Sequence, residues 1–66
     1  MLFLSILFTE DCNWDAVTRI VGKYPGAHAF TYSHGVYYNG DETTADRLVD
    51  ALGALGTPMH IMRNTD

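Results

Sequence analysis

Residues Leu2 to Thr9 read Leu-Phe-Leu-Ser-Ile-Leu-Phe-Thr, a run with apolar side chains at both odd and even positions. Successive side chains of a strand point to opposite faces, so both faces of this one are oily and it belongs inside a sheet, with neighbours on either edge. Closed by the acidic pair Glu10 and Asp11, the run is too short to span a bilayer. The period then changes. Trp14, Val17, Ile20 or Val21, and Tyr24 recur at near-helical spacing with Asp15, Thr18, Arg19 and Lys23 between them. This predicts an amphipathic helix that opens around Asp11 to Asn13 and ends by about Tyr24, where Pro25-Gly26 stops it.

His28 to Ser33 and Val36 to Asn39 are rich in β-branched and aromatic residues and predict two strands of a hairpin, with His34-Gly35 as the turn between them. In that register Ser33 faces Val36, Tyr32 faces Tyr37, Thr31 faces Tyr38 and Phe30 faces Asn39. Phe30, Tyr32 and Tyr37 then share one side of the sheet. Asn39-Gly40 is intrinsically the better turn dipeptide, but Asp41-Glu42-Thr43-Thr44 after it reads as a helix entry and would make a poor returning strand. Thr43, with Asp46 three residues on, predicts the cap of the second helix. Its core stripe is Ala45, Leu48, Val49, Leu52 and Leu55, and Gly56 with Thr57-Pro58 ends it. Met59 to Arg63 completes the pattern as a short strand, with Asn64 to Asp66 expected to fray.

Strand, helix, strand, strand, helix, strand is the order of the ferredoxin-like fold, an α+β arrangement. Residues 1–66 form one domain in this reading, with no internal repeat, low-complexity tract or linker. Right-handed crossovers place the first and third strands at the centre of a four-stranded antiparallel sheet, with both helices on one face. Leu2, Leu4, Ile6 and Phe8 face one side of the first strand, and Phe3, Ser5, Leu7 and Thr9 the other. Two helices cover one side only, so Phe3 and Leu7, with part of the hairpin's aromatic set, are left as an exposed apolar patch.

Composition narrows the function. A chain of 66 residues buries only about 60% of the surface its unfolded form exposes, and with one cysteine it has no internal disulfide to add stability. Self-association as a homodimer is the expected supplement. A net charge of −4 opposes attraction to phosphate backbones and anionic membranes, so direct nucleic-acid and membrane binding are not expected. The apolar start lacks both a basic leader and a small-residue cleavage pattern, and the lone cysteine fits a reducing, cytoplasmic setting.

Cys12 sits where the first strand feeds the first helix, a position that activates thiols in some proteins. Glu10, Asp11 and Asp15 surround it with negative charge, and the Cys-x-x-Cys that heavy-metal-associated domains of this fold carry in the same loop is absent, since Asn13, Trp14 and Asp15 follow. Cys12 is therefore read as a structural thiol. His28, His34 and His60 have no ligand-like spacing, so no metal or other cofactor is expected. RNA-recognition domains of similar topology stack bases on exposed aromatics among basic residues. Here only Arg19, Lys23, Arg47 and Arg63 are available, and the glycine-aromatic signature of those domains is missing.

No phosphate loop, nucleophile elbow or paired-carboxylate signature occurs, so no catalytic residue is assigned and the chain is read as a noncatalytic protein-protein interaction module, either a dimer through the open sheet face or an inhibitor or adaptor that uses its sheet or its acidic helix face. The candidate interface comprises Phe3, Leu7, Phe30, Tyr32 and Tyr37 on the sheet, together with Asp46 and Asp50 on the second helix. The acidic helix face would meet a basic partner, such as a nucleic-acid-binding protein whose site it blocks. Small acidic inhibitors of viruses and mobile elements have this size and charge, an analogy without a motif behind it. The alternative is a regulatory domain that holds a small molecule at a homodimer interface.

Overall fold

The computed structural model describes residues 2–65. Its elements are β1 (Leu2–Phe8), α1 (Trp14–Val21), β2 (Ala27–Phe30), β3 (Gly35–Gly40), α2 (Glu42–Gly53) and β4 (Met59–Thr65). The strands form one sheet in the order β2-β3-β1-β4, and each neighbouring pair is antiparallel. This is the ferredoxin-like α+β topology expected from the element order.

The oily first stretch explains the arrangement. β1 pairs with β3 from Leu2↔Gly40 to Leu7↔Gly35 and with β4 from Leu2↔Thr65 to Phe8↔Met59, so both of its edges are occupied. Leu2, Leu4, Ile6 and Phe8 are buried on the helix side with Val36 and Tyr38 of β3. The helices supply Val17 and Val21 from α1 and Ala45, Leu48 and Leu52 from α2 to the same cluster. Trp14, Ile20 and Tyr24 pack at its margin, as the periodicity of the first helix requires.

The first helix opens within the expected range, while the second is capped earlier than expected. Asn13 caps α1, its side-chain oxygen accepting from the Ala16 amide at 3.2 Å. The helix closes at Val21 and the chain turns through Gly22 to Gly26, where Gly26 takes a φ of +90° that favours glycine. Asp41, not Thr43, caps α2. Its Oδ2 accepts from the Thr44 amide at 3.0 Å, while Oδ1 accepts from the Tyr38 hydroxyl at 3.2 Å. Aspartate wins because its carboxylate serves both an orphan helix amide and a core tyrosine that lies within reach. Asp46 is thereby displaced from the capping-box position and turns instead to Arg63, with 2.9 Å between guanidinium and carboxylate.

The hairpin is the main correction. β2 and β3 pair as Ala27↔Tyr38, His28↔Tyr37, Ala29↔Val36 and Phe30↔Gly35, a register four residues removed from the one expected, and Thr31 to His34 form the turn. A shift by an even number leaves every side chain on its expected side, so Phe30 and Tyr37 still share a face. Tyr32 does not join them. It stands at the tip of the turn, fully exposed. β4 is also longer than expected: Asn64 and Thr65 pair with Phe3 and Leu2 rather than fraying, and the rest of the expected frayed tail, Asp66, lies outside the described residues.

Two outcomes follow from this packing. Leu48 is fully buried between sheet and helix, so Leu48→Ala should cost about 2–5 kcal/mol in urea denaturation, a large share of the total stability of so short a chain. Hydrogen bonds from Thr44, its amide first and then its side chain, hold the Asp41 carboxyl below its ordinary value of 3.8, with a smaller contribution from the Tyr38 hydroxyl. A lowered folded pKa gives stability that is present above 3.8 and is lost as pH falls through the folded value. In thermal melts at stepwise lower pH, the wild type should therefore exceed Asp41→Asn above 3.8, and the gap should close in stronger acid.

Candidate interaction surface

The face of the sheet away from the helices is built by the strand alternation itself. β1 contributes Phe3, Ser5 and Leu7, β3 contributes Tyr37 and Asn39, β2 contributes His28 and Phe30, and β4 contributes His60, Met62 and Asn64. Across the sheet these form rows: His28, Tyr37, Ser5 and Met62 in one, and Phe30, Gly35, Leu7 and His60 in the next. None of these side chains is Asp, Glu, Lys or Arg. The exposed large hydrophobics range from Leu7 at 38% to Met62 at 55% of full exposure. An uncharged surface of this size, presented by all four strands, is rarely left open to water.

Its shape follows from which residues are large. Gly35 lies between Leu7 and Phe30 in the ladder, and a Cβ there would sit 3.4 Å from Leu7 and 3.3 Å from the Tyr37 ring. Glycine lets the Phe30 and Tyr37 rings close into an edge-to-face pair with centroids 5.2 Å apart. On the far side of Tyr37 the surface dips into a trough of about 520 Å³ lined by Phe3, Ser5, His28, Tyr37, Asn39 and Met62 among others. The lining is mostly apolar, with the hydroxyls of Ser5, Tyr37 and Tyr38, the His28 imidazole and the carboxamides of Asn39 and Asn64 available for orientation and Arg63 at its rim.

Of the seven residues expected at an interface, four share the open face of the sheet. Phe3, Leu7, Phe30 and Tyr37 come together on the open face, and Tyr32 stands apart from them at the turn. Asp46 and Asp50 are on α2, exposed, away from this face. Asp46 is occupied by Arg63, so the helix offers a partner less free negative charge than its sequence suggests. Met62 and His28 escaped the sequence reading, although the alternation of His28 with Phe30 already placed it on this side. The alternation of β4 alone held that signal for Met62.

A second cluster forms at the end of the sheet. Trp14 stacks on the His34 ring at 5.0 Å, meets Phe8 edge-on at 6.3 Å, and donates from Nε1 to the Thr31 hydroxyl at 3.0 Å. His34 adopts a φ of 50°, its carbonyl accepting from the Phe8 amide at 3.0 Å. These bonds draw Thr31 to His34 out of the ladder and account for the shortened β2. Cys12 lies beside them with Sγ 4.0 Å from His34 Nδ1, and the trough on the open face does not reach it. Among the described residues no group of three or more His, Cys, Asp or Glu side chains is placed to hold a metal, and no helix is long and apolar enough to cross a membrane.

Comparison of the chain with protein-family models, curated proteins and solved structures finds no match, so the surface must be read from its own geometry.

Removing the indole donor tests the turn cluster. Trp14→Phe keeps an aromatic ring but loses the bond to Thr31, and should lower stability by about 0.5–1.5 kcal/mol. Amide exchange should quicken at Phe8 and His34 while β4 stays unchanged; protection unaltered at Phe8 would show that Trp14 does not hold this turn.

Proposed function

We propose that the chain is a noncatalytic protein-protein interaction module, an inhibitor or adaptor, whose contact surface is the open face of the sheet. One observation carries this reading: Phe3, Leu7, Phe30, Tyr37 and Met62 stand exposed together on a face without a single formal charge. Interface centres are depleted in charge and enriched in aromatics and methionine, and this patch has that composition. Tyr37 and Phe30, rigid and already paired, are the natural anchors. The acidic residues of α2 lie away from this face and would act on the rate of encounter with a basic partner rather than on the contact itself. A cytoplasmic setting and a viral or mobile-element origin belong to the same proposal and rest only on the lone cysteine, small size and net charge of −4.

The trough supports a second reading, a small-molecule regulatory domain. Its volume of about 520 Å³ falls within the range of ligand clefts, and a flat, largely apolar ligand would lie between Phe3 and Tyr37 with its polar atoms toward Ser5 or Asn39.

Affinity capture from the native host, run in parallel on wild type, Leu7→Glu and Asp50→Lys, separates the sheet face from the helix face. Capture should fall at least tenfold for Leu7→Glu, the loss expected from placing a charge in an apolar contact of about 1.4 kcal/mol or more, and should persist for Asp50→Lys. The reverse result would move the site to α2, and capture insensitive to both changes would sink the reading.

A further inference from the structure

The sheet has two edges, and they are built differently. β2 is four residues long, preceded by Pro25-Gly26 and followed by the tight turn at Thr31 to His34. β4 runs seven residues, Met59–Thr65, and pairs with β1 without a bulge from one end to the other. Among the described residues its outer edge has no strand beside it, so alternate residues present backbone N–H and C=O groups to the outside. Natural edge strands are blunted by proline, bulges, charge or a covering element. β4 contains no proline, and its one formal charge, Arg63, reaches back to Asp46 of α2 instead of guarding the edge.

Apart from Met59, which packs on the core beside Gly53 of α2, the helices leave this strand largely uncovered. α1 packs on β2, and α2 lies over β1 and β3. Ile61 points to the helix side, directly opposite the fully buried Ile6, yet remains 40% exposed. Met62, on the other side, is more than half exposed. A long, regular edge with an exposed apolar residue on each side is an incomplete part of a sheet.

We propose that two copies of the chain join edge to edge through β4, antiparallel about a two-fold axis at Met62, to make one continuous sheet of eight strands, four from each copy. An exposed ladder of backbone donors and acceptors specifies an extended backbone as its occupant. Self-pairing about Met62 uses all seven residues: Met59 faces Thr65 of the other copy, His60 faces Asn64, Ile61 faces Arg63, and Met62 faces Met62. No like charges stand opposite each other in this register, and each Ile61 is covered by the aliphatic stem of the other copy's Arg63. Antiparallel pairing keeps both open faces on the same side of the joined sheet. The inference is independent of the function proposed for that face, which stays free and is doubled.

Light scattering of the full chain should give twice its 7.4 kDa mass, falling towards one chain on dilution. Ile61→Lys should give the mass of one chain with an unchanged far-ultraviolet spectrum, while Leu7→Glu, on the open face, should leave the dimer intact. With Cys12→Ser to remove the native thiol, Met62→Cys should form an interchain disulfide on mild oxidation and Asn64→Cys should not. Should Ile61→Lys unfold the chain, amide exchange along β4 of the wild type, slowed as concentration rises, supplies the same evidence. A wild-type monomer, a dimer that survives Ile61→Lys, or a dimer dissociated by Leu7→Glu would each overturn the proposal. Crosslinking through Asn64→Cys in place of Met62→Cys would overturn the two-fold axis.

Discussion

β1 is apolar on both faces, and a chain this short has only two helices with which to cover them. Helices on opposite sides would leave each half of the sheet with a single thin cover. Both helices instead bury one side, where Leu2, Leu4, Ile6 and Phe8 meet Val17, Val21, Leu48 and Leu52 in one contiguous core. Right-handed crossovers enforce the same outcome, because β1 to β2 and β3 to β4 must each arch over the same face. The exposed apolar surface is therefore a consequence of how the core is made. With both helices on the other side of β1, Phe3 and Leu7 are left exposed.

The parts of this arrangement with a strong period were legible in the sequence. The double-sided run of β1 identified the central strand, the stripe of Ala45, Leu48 and Leu52 identified the face of α2, and their order identified the topology. What escaped was set by individual tertiary bonds. The register of the hairpin depends on an indole donating to Thr31 and a ring stacking on His34, and neither leaves a mark on strand propensity. The cap of α2 fell to Asp41 over Thr43 because the Tyr38 hydroxyl is beside it, a contact between a strand and a helix entry that spacing alone does not reveal. The parity of the hairpin survived its four-residue shift. For that reason Phe30 and Tyr37 reached the open face although their partners were misassigned, whereas Tyr32, which depended on the ladder continuing, did not.

Asp46 illustrates how one tertiary contact redistributes roles. As a free carboxylate it would have added to the acidic face of α2. Bound to Arg63 it ties the middle of α2 to the last strand, the strand that α2 otherwise covers least. An exposed ion pair of this kind adds little to stability. Its larger effect is on placement, since it withdraws from the edge of β4 the only guanidinium able to repel another strand.

Charge and apolar surface are thus segregated around the sheet. Glu10, Asp11 and Asp15 lie at the entry to α1, and Asp41, Glu42, Asp46 and Asp50 lie at or along α2, while the open face carries none. Acidic surfaces of two copies repel, which disfavours packing helix layer against helix layer. The uncharged face and the unguarded strand edge experience no such repulsion. The surfaces with exposed apolar area or unpaired backbone are free of that repulsion, and these are perpendicular to each other, one across the sheet and the other along its rim. Occupying one does not block the other, so a single small domain has room for self-pairing and for a separate partner at the same time.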